Sequence, residues 1–221
     1  MNPEREARPL FWIVIGAVMT LALCVLLVAW LKARAEAERE DAMRRGRPEF
    51  LIDQEPLKRV PDFRLQRARG GELSRADLAG RVWVVDFFFT TCPTVCPVMS
   101  GRLRDLQGRL ADLPEVKLVS ITVDPAKDDA ETLRAYADRF EAEPDRWYFL
   151  TGEEPVIRDL KHRGFGIGDP DDPIMGHSTR FGLIDADGMI RAYYHCANGS
   201  ESDDFPRLLA DIRELVRRGG R

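Results

Sequence analysis

Two cysteines four residues apart, Cys92 and Cys96 in "TTCPTVCPVMS", follow the apolar run "RVWVVDFFF". If a helix begins between them, the i, i+4 spacing brings both sulfurs onto one face. Pro97 suits an early helical position, where its missing N–H costs nothing, and the positive end of a helix lowers thiol pKa values. Both sulfurs are therefore expected to be primed as thiolates. Two thiolates are soft ligands suited to Cu(I); they also bind Zn(II), which normally needs four ligands. A disulfide, a redox couple and two small core residues are the other readings of the same spacing.

A third ligand would separate these readings, and the chain holds three histidines. His162, in "RDLKHRGF", ends a polar helical stretch and reads as a solvated or capping residue. His177, in "PIMGHSTRFGLID", stands just before a strand and after the loop "GIGDPDDPIMG", where a side chain can be swung onto a site. His195 adjoins Cys196, and neighbours in a strand point to opposite faces, so that pair is a poor chelate. Cys196 reads as a packing residue and His195 as a surface one.

The elements that must hold these residues alternate along the chain. "DFRLQRARGGELS" predicts two short strands around Gly70 and Gly71, "RVWVVDFFF" a fully buried strand, and "MSGRLRDLQGRLADL" an amphipathic helix. "VKLVSITV" and "AETLRAYADRF", then "RWYFLTG" and "PVIRDLKHRGF", repeat the strand and helix theme. "TRFGLIDADGMIRAYY" carries two alternating runs around Asp187 and Gly188, a hairpin signal, and "FPRLLADIRELVRR" closes with a helix. The pattern predicts an α/β fold, a central mixed sheet flanked by helices on both faces. Ligands in such sheets sit at the carboxyl ends of strands, which is where residues 90–97 fall.

With 221 residues, 44% of them hydrophobic, the chain is long enough for one good core and an appendage. A net charge of −4 gives no basic footprint, which excludes the nucleic-acid-binding class. Leu10 to Leu31 is an unbroken apolar run of about 22 residues, enough for one transmembrane helix and longer than the core of a signal peptide. It is expected to be an uncleaved anchor after a tail over 1–9, with Cys24 inside it as a packing residue. Residues 32–55 read as a charged stalk and 56–221 as the folded domain. The basic residues Lys32, Arg34, Arg39, Arg44, Arg45 and Arg47 follow the span while only Arg5 and Arg8 precede it, a count that points the domain toward the cytoplasm.

"TTCPTVCP" after a buried strand, "TVDPAKDDAETLRAYADRF" and "GHSTRFGLIDADG" together resemble the Sco (SenC-type) copper-chaperone and cytochrome c oxidase assembly family. The likeness runs from about Pro61 to Arg218. It implies a thioredoxin-like fold preceded by one transmembrane helix, and copper held by Cys92, Cys96 and His177. Asp124 falls on a family acidic position near the site. The resemblance departs at Lys127, where an Arg is common, and at the added His195 and Cys196. It further implies a domain outside the cytoplasmic face, in the periplasm or mitochondrial intermembrane space, against the basic count, and since no Arg-rich, acid-poor transit segment precedes the span, a bacterial inner membrane with the domain in the periplasm is expected. The partners implied are the copper-bearing subunit of cytochrome c oxidase and another copper chaperone. A membrane-tethered thiol-disulfide oxidoreductase, with the earlier and more exposed Cys92 attacking a partner, is the alternative.

Overall fold

The computed structural model describes residues 51–167, 180–196 and 203–220, together with helical residues 19, 20, 23, 25–27, 29–32 and 34. Two units separate along the chain, Met1–Glu49 and Phe50–Arg221. In the first, the described residues of the apolar run are helical and their side chains exposed, Leu23 at 70% and Trp30 at 55%. Among the described residues no helix is long and apolar enough to cross a membrane. The run expected to span, Leu10 to Leu31, lies partly outside them, as do Cys24 and most of the stalk.

The second unit is built on one eight-stranded sheet. Its strands are β1 (Lys58–Arg59), β2 (Arg64–Arg67), β3 (Glu72–Ser74), β4 (Trp83–Phe88), β5 (Lys117–Thr122), β6 (Trp147–Thr151), β7 (Arg180–Ile184) and β8 (Met189–His195). They lie in the order β1-β8-β7-β4-β5-β6-β2-β3. β4, β5 and β6 are parallel neighbours, and the outer pairings are antiparallel, so the sheet is mixed as expected. The helices are α1 (Val95–Arg109), α2 (Ala130–Arg139), α3 (Glu154–Asp159) and α4 (Phe205–Arg217).

β4 shows how sequence becomes two faces. All six of its residues are buried, and successive side chains alternate across the sheet. Val84 and Phe88 enter a core with Leu103 and Leu106 of α1, Leu133 of α2 and Leu208 and Ile212 of α4. Trp83, Val85 and Phe87 enter a second core with Val119, Ile121, Ile157 and Phe165. A strand buried on both faces reads as a continuous apolar run for this reason. Asp86, on the α1 face, interrupts it.

Two departures from the sequence pattern are instructive. The helix expected over "PVIRDLKHRGF" is α-helical only to Asp159 and then widens into a π-helical turn, Leu160–Gly164. Phe165 donates its N–H to the Leu160 carbonyl five residues back at 2.8 Å, and Gly166 leaves the turn at φ +64°. The extra residue aims Phe165 into the core, edge-on to Trp83 and Phe87. The second concerns the beginning of the domain. Leu51–Asp53, assigned to the stalk, pack with the globular unit: Ile52 is buried, Leu51 N–H donates to Asp211, and Asp53 pairs with Arg218.

Candidate metal centre

β4 delivers the chain to the cysteines. After Phe88 it turns through Phe89, Thr90 and Thr91, with Cys92 N–H donating to the Phe89 carbonyl at 3.3 Å, and α1 begins at Val95. Cys96 therefore falls in the first turn of α1, where backbone N–H groups lack intrahelical acceptors. Its own N–H is aimed at the Cys92 sulfur, 3.4 Å away. The two sulfurs lie at one helix end, as the spacing predicts. Both are free thiols, and both are buried, at 3% and 5% exposure. Exposure therefore does not separate the two sulfurs as attacking and resolving groups.

The expectation of two primed thiolates also needs correcting. Burial pushes the Cys92 thiol up, but N–H donors at Cys96, Thr94 and Val95 and the Cys96 side chain outweigh it, and the net shift is downward. Cys96 is pushed up to about 12, first by burial, with the neighbouring Cys92 and Asp86 adding to it. The helix end serves the first sulfur because its free N–H groups converge there. Cys96 sits one turn further in, among Phe88, Met99 and Tyr136. The two sulfurs are thus shifted in opposite directions, Cys92 toward the thiolate and Cys96 toward the thiol.

Behind the pair lies a polar group in the apolar core. Asp86 is 1% exposed and accepts from Ser120 Oγ at 2.5 Å, its register partner on β5, while Trp147 Nε1 donates to the same Oγ at 2.9 Å. The other carboxyl oxygen, Oδ2, is buried with no hydrogen-bond partner among the described residues. Burial raises this carboxyl to about 7. Sequence reasoning took the stretch as a plain buried strand, although one carboxyl in "WVVDFF" was the available signal.

Asp124 stands at the end of β5, nearly buried, its N–H on Thr122 Oγ1 at 3.0 Å and its Oδ2 2.9 Å from Lys127 Nζ. His177 lies outside the described residues. The chain re-enters the sheet at Arg180: Trp83 pairs with Ile184 and Val85 with Gly182, so Arg180 begins β7 at the end of β4 that leads to the cysteines. His195, across from Arg180, is exposed and accepts from Arg180 Nε at 3.1 Å, whereas Cys196 is fully buried. His162 is half-buried in the π turn and its Nδ1 is buried without a partner among the described residues, so it is less solvated than its polar setting suggests. Among the described residues no third His, Cys, Asp or Glu completes a metal-holding set with the cysteines. The donor chemistry of the pair nonetheless fits a soft monovalent ion: two cysteine sulfurs whose protons a metal would displace, the more readily at Cys92.

The SCO1/SenC family model matches residues 53–217. This chain belongs to that family. A Bacillus subtilis SCO1 protein homolog is 31% identical over 160 residues, 70% of this chain and 81% of that protein. BsSco, a member of the Sco family of cytochrome c oxidase assembly proteins in which a disulfide switch was identified, is 31% identical with a TM-score of 0.63, covering 74% of this chain and 97% of that one. Yeast Sco1, solved with copper bound, shares the fold at 23% identity and a TM-score of 0.57, covering 78% of this chain and 95% of that one. The α/β fold is the Sco-like, thioredoxin-like one expected from sequence, and Sco proteins are copper-binding proteins of cytochrome c oxidase assembly.

Proposed function

We propose that this protein is a membrane-anchored copper chaperone that binds one copper through Cys92, Cys96 and His177 and delivers it to the copper-bearing subunit of cytochrome c oxidase. The observation that carries the reading is the convergence of two buried, unpaired cysteines at one helix end, on the sheet edge where β7 begins three residues after His177. Copper bound to relatives supports it. Two sulfurs alone leave a copper ion open to other ligands, and an imidazole favours Cu(II) more than Cu(I). His177→Ala is therefore expected to lose stable Cu(II) binding, read from its thiolate absorption band, while still forming and reducing the Cys92–Cys96 disulfide, and to fail in oxidase assembly. A variant that loses copper yet supports assembly fully would give the role to thiol reduction.

That second reading, a membrane-tethered thiol-disulfide oxidoreductase, is favoured by one specific observation, the opposed shifts of the two thiols. The attacking sulfur would be Cys92, as a thiolate stabilised by N–H donors rather than by exposure. Cys96 would close the intramolecular disulfide afterwards.

The same proposal places the globular unit in the periplasm, tethered to a bacterial inner membrane by Leu10 to Leu31. The length of the apolar run supports the tether, and the family's place in oxidase assembly supports this orientation over the count of basic residues. A phosphatase that matures only in the periplasm, fused after Arg221, is expected to be active. Activity confined to a cytoplasmic reporter would overturn the orientation.

A further inference from the structure

We infer that Asp128 is the positioning residue of the thiol site, a buried carboxylate that fastens the Cys92 loop to the turn carrying Asp124. The inference rests on the copper and thiol reading of Cys92 and Cys96.

Asp128 is fully buried, and among the described residues it makes no ion pair with a basic side chain. A carboxylate in that setting is costly unless donors surround it. Its donors come from two places. Thr90, two residues before Cys92, gives both its N–H, 3.0 Å from Oδ2, and its hydroxyl, to Oδ1. Thr122, the last residue of β5, gives its hydroxyl to Oδ2.

The Thr122 hydroxyl is shared, since its oxygen accepts the Asp124 N–H at 3.0 Å. Asp128 is bound into the same turn through its own N–H, which donates to the Asp124 carbonyl at 2.9 Å. Phe88 and Thr122 are register partners at the ends of adjacent parallel strands, the Val123 N–H still donates to the Phe88 carbonyl at 2.8 Å, and past that bond the two loops diverge. Asp128 joins the two loops again beyond it. It fixes the backbone and side chain of Thr90, so the direction in which Cys92 leaves the strand depends on a residue that touches neither sulfur. Partners that orient ligands without binding the metal are worth about 10–100-fold in affinity.

The test uses the full chain in detergent and compares Thr90→Val, Thr90→Ser and Asp128→Asn with the unsubstituted protein. Three quantities are read: Cu(I) affinity by competition with a chelator, the thiol-disulfide exchange equilibrium with dithiothreitol, and the denaturant midpoint. In that exchange the dithiothreitol dithiol is oxidised as the Cys92–Cys96 disulfide gains two electrons and two protons. Thr90→Val removes one donor at constant shape and is expected to weaken Cu(I) by about tenfold and to shift the exchange equilibrium several-fold. Thr90→Ser restores the hydroxyl and both values. Asp128→Asn, which turns an N–H donor toward donors, is expected to lose more.

Folded Thr90→Val whose affinity and exchange equilibrium equal those of the unsubstituted protein would overturn the inference, leaving Asp128 a purely structural staple. Should Asp128→Asn fail to fold, Thr90→Val decides alone. If the unsubstituted protein takes up no copper, the chaperone reading fails separately, and the exchange equilibrium still judges Asp128.

Discussion

Replacing Cys92 or Cys96 by serine is expected to abolish tight Cu(I) binding, lowering metal content from about one copper per chain to background under chelator competition. Serine is nearly isosteric with cysteine, so the apolar core that both cysteines share keeps its packing. What changes is chemistry. A hydroxyl is a hard ligand that stays protonated, and losing a soft ligand from the metal itself should exceed the roughly 100-fold upper end seen for outer partners. The two variants should also differ. Cys92→Ser removes the sulfur that receives the Cys96 N–H, whereas Cys96→Ser leaves that sulfur in place with its backbone donors. Anaerobic loading with Cu(I), followed by metal analysis, checks this; copper content that survives either substitution would sink the chaperone reading.

Asp86 carries the second large effect. Its folded pKa is raised to about 7 from the ordinary carboxylate value of 3.8, because burial disfavours the charge more than the Ser120 hydroxyl can compensate. Between those two values the folded chain holds a proton that the unfolded chain has released, so stability falls as pH rises through this window. The loss approaches about 4 kcal/mol once the pH exceeds the folded value. Asp86→Asn cannot ionise, keeps an oxygen for Ser120, and is expected to remove this slope. Denaturant unfolding of both proteins at pH 5 and pH 8 reads it directly as a difference of differences. Equal slopes in the two proteins would show that Asp86 does not ionise within the window.

Much of the scaffold could be read directly from residue pattern. The run "VWVVDFF" is a doubly buried strand because both its faces are apolar, and the alternation around Asp187 and Gly188 is a hairpin because Gly188 accepts φ +78°. The i, i+4 cysteines meet for the reason their spacing gives. The remainder depended on what the chain encounters in three dimensions. The π turn at Leu160–Gly164 answers to where Phe165 must sit, which no local periodicity states. The opposed thiols reflect which N–H groups happen to converge on one sulfur, and Asp128 looked like one acid among several in "PAKDDAE". His177 was selected by order along the chain and by resemblance, and it lies outside the described residues.

Cys196 gives the site a different kind of protection. It shares the apolar core with Cys92 and Cys96, is fully inaccessible, and has its thiol held protonated by burial. Disulfide exchange proceeds by thiolate attack on an accessible sulfur, and Cys196 offers neither the charge nor the access. Among the described cysteines the fold thereby leaves a single reactive couple, and errors in pairing between them are suppressed by steric exclusion rather than by the absence of thiols. That fidelity lasts only as long as the core stays closed.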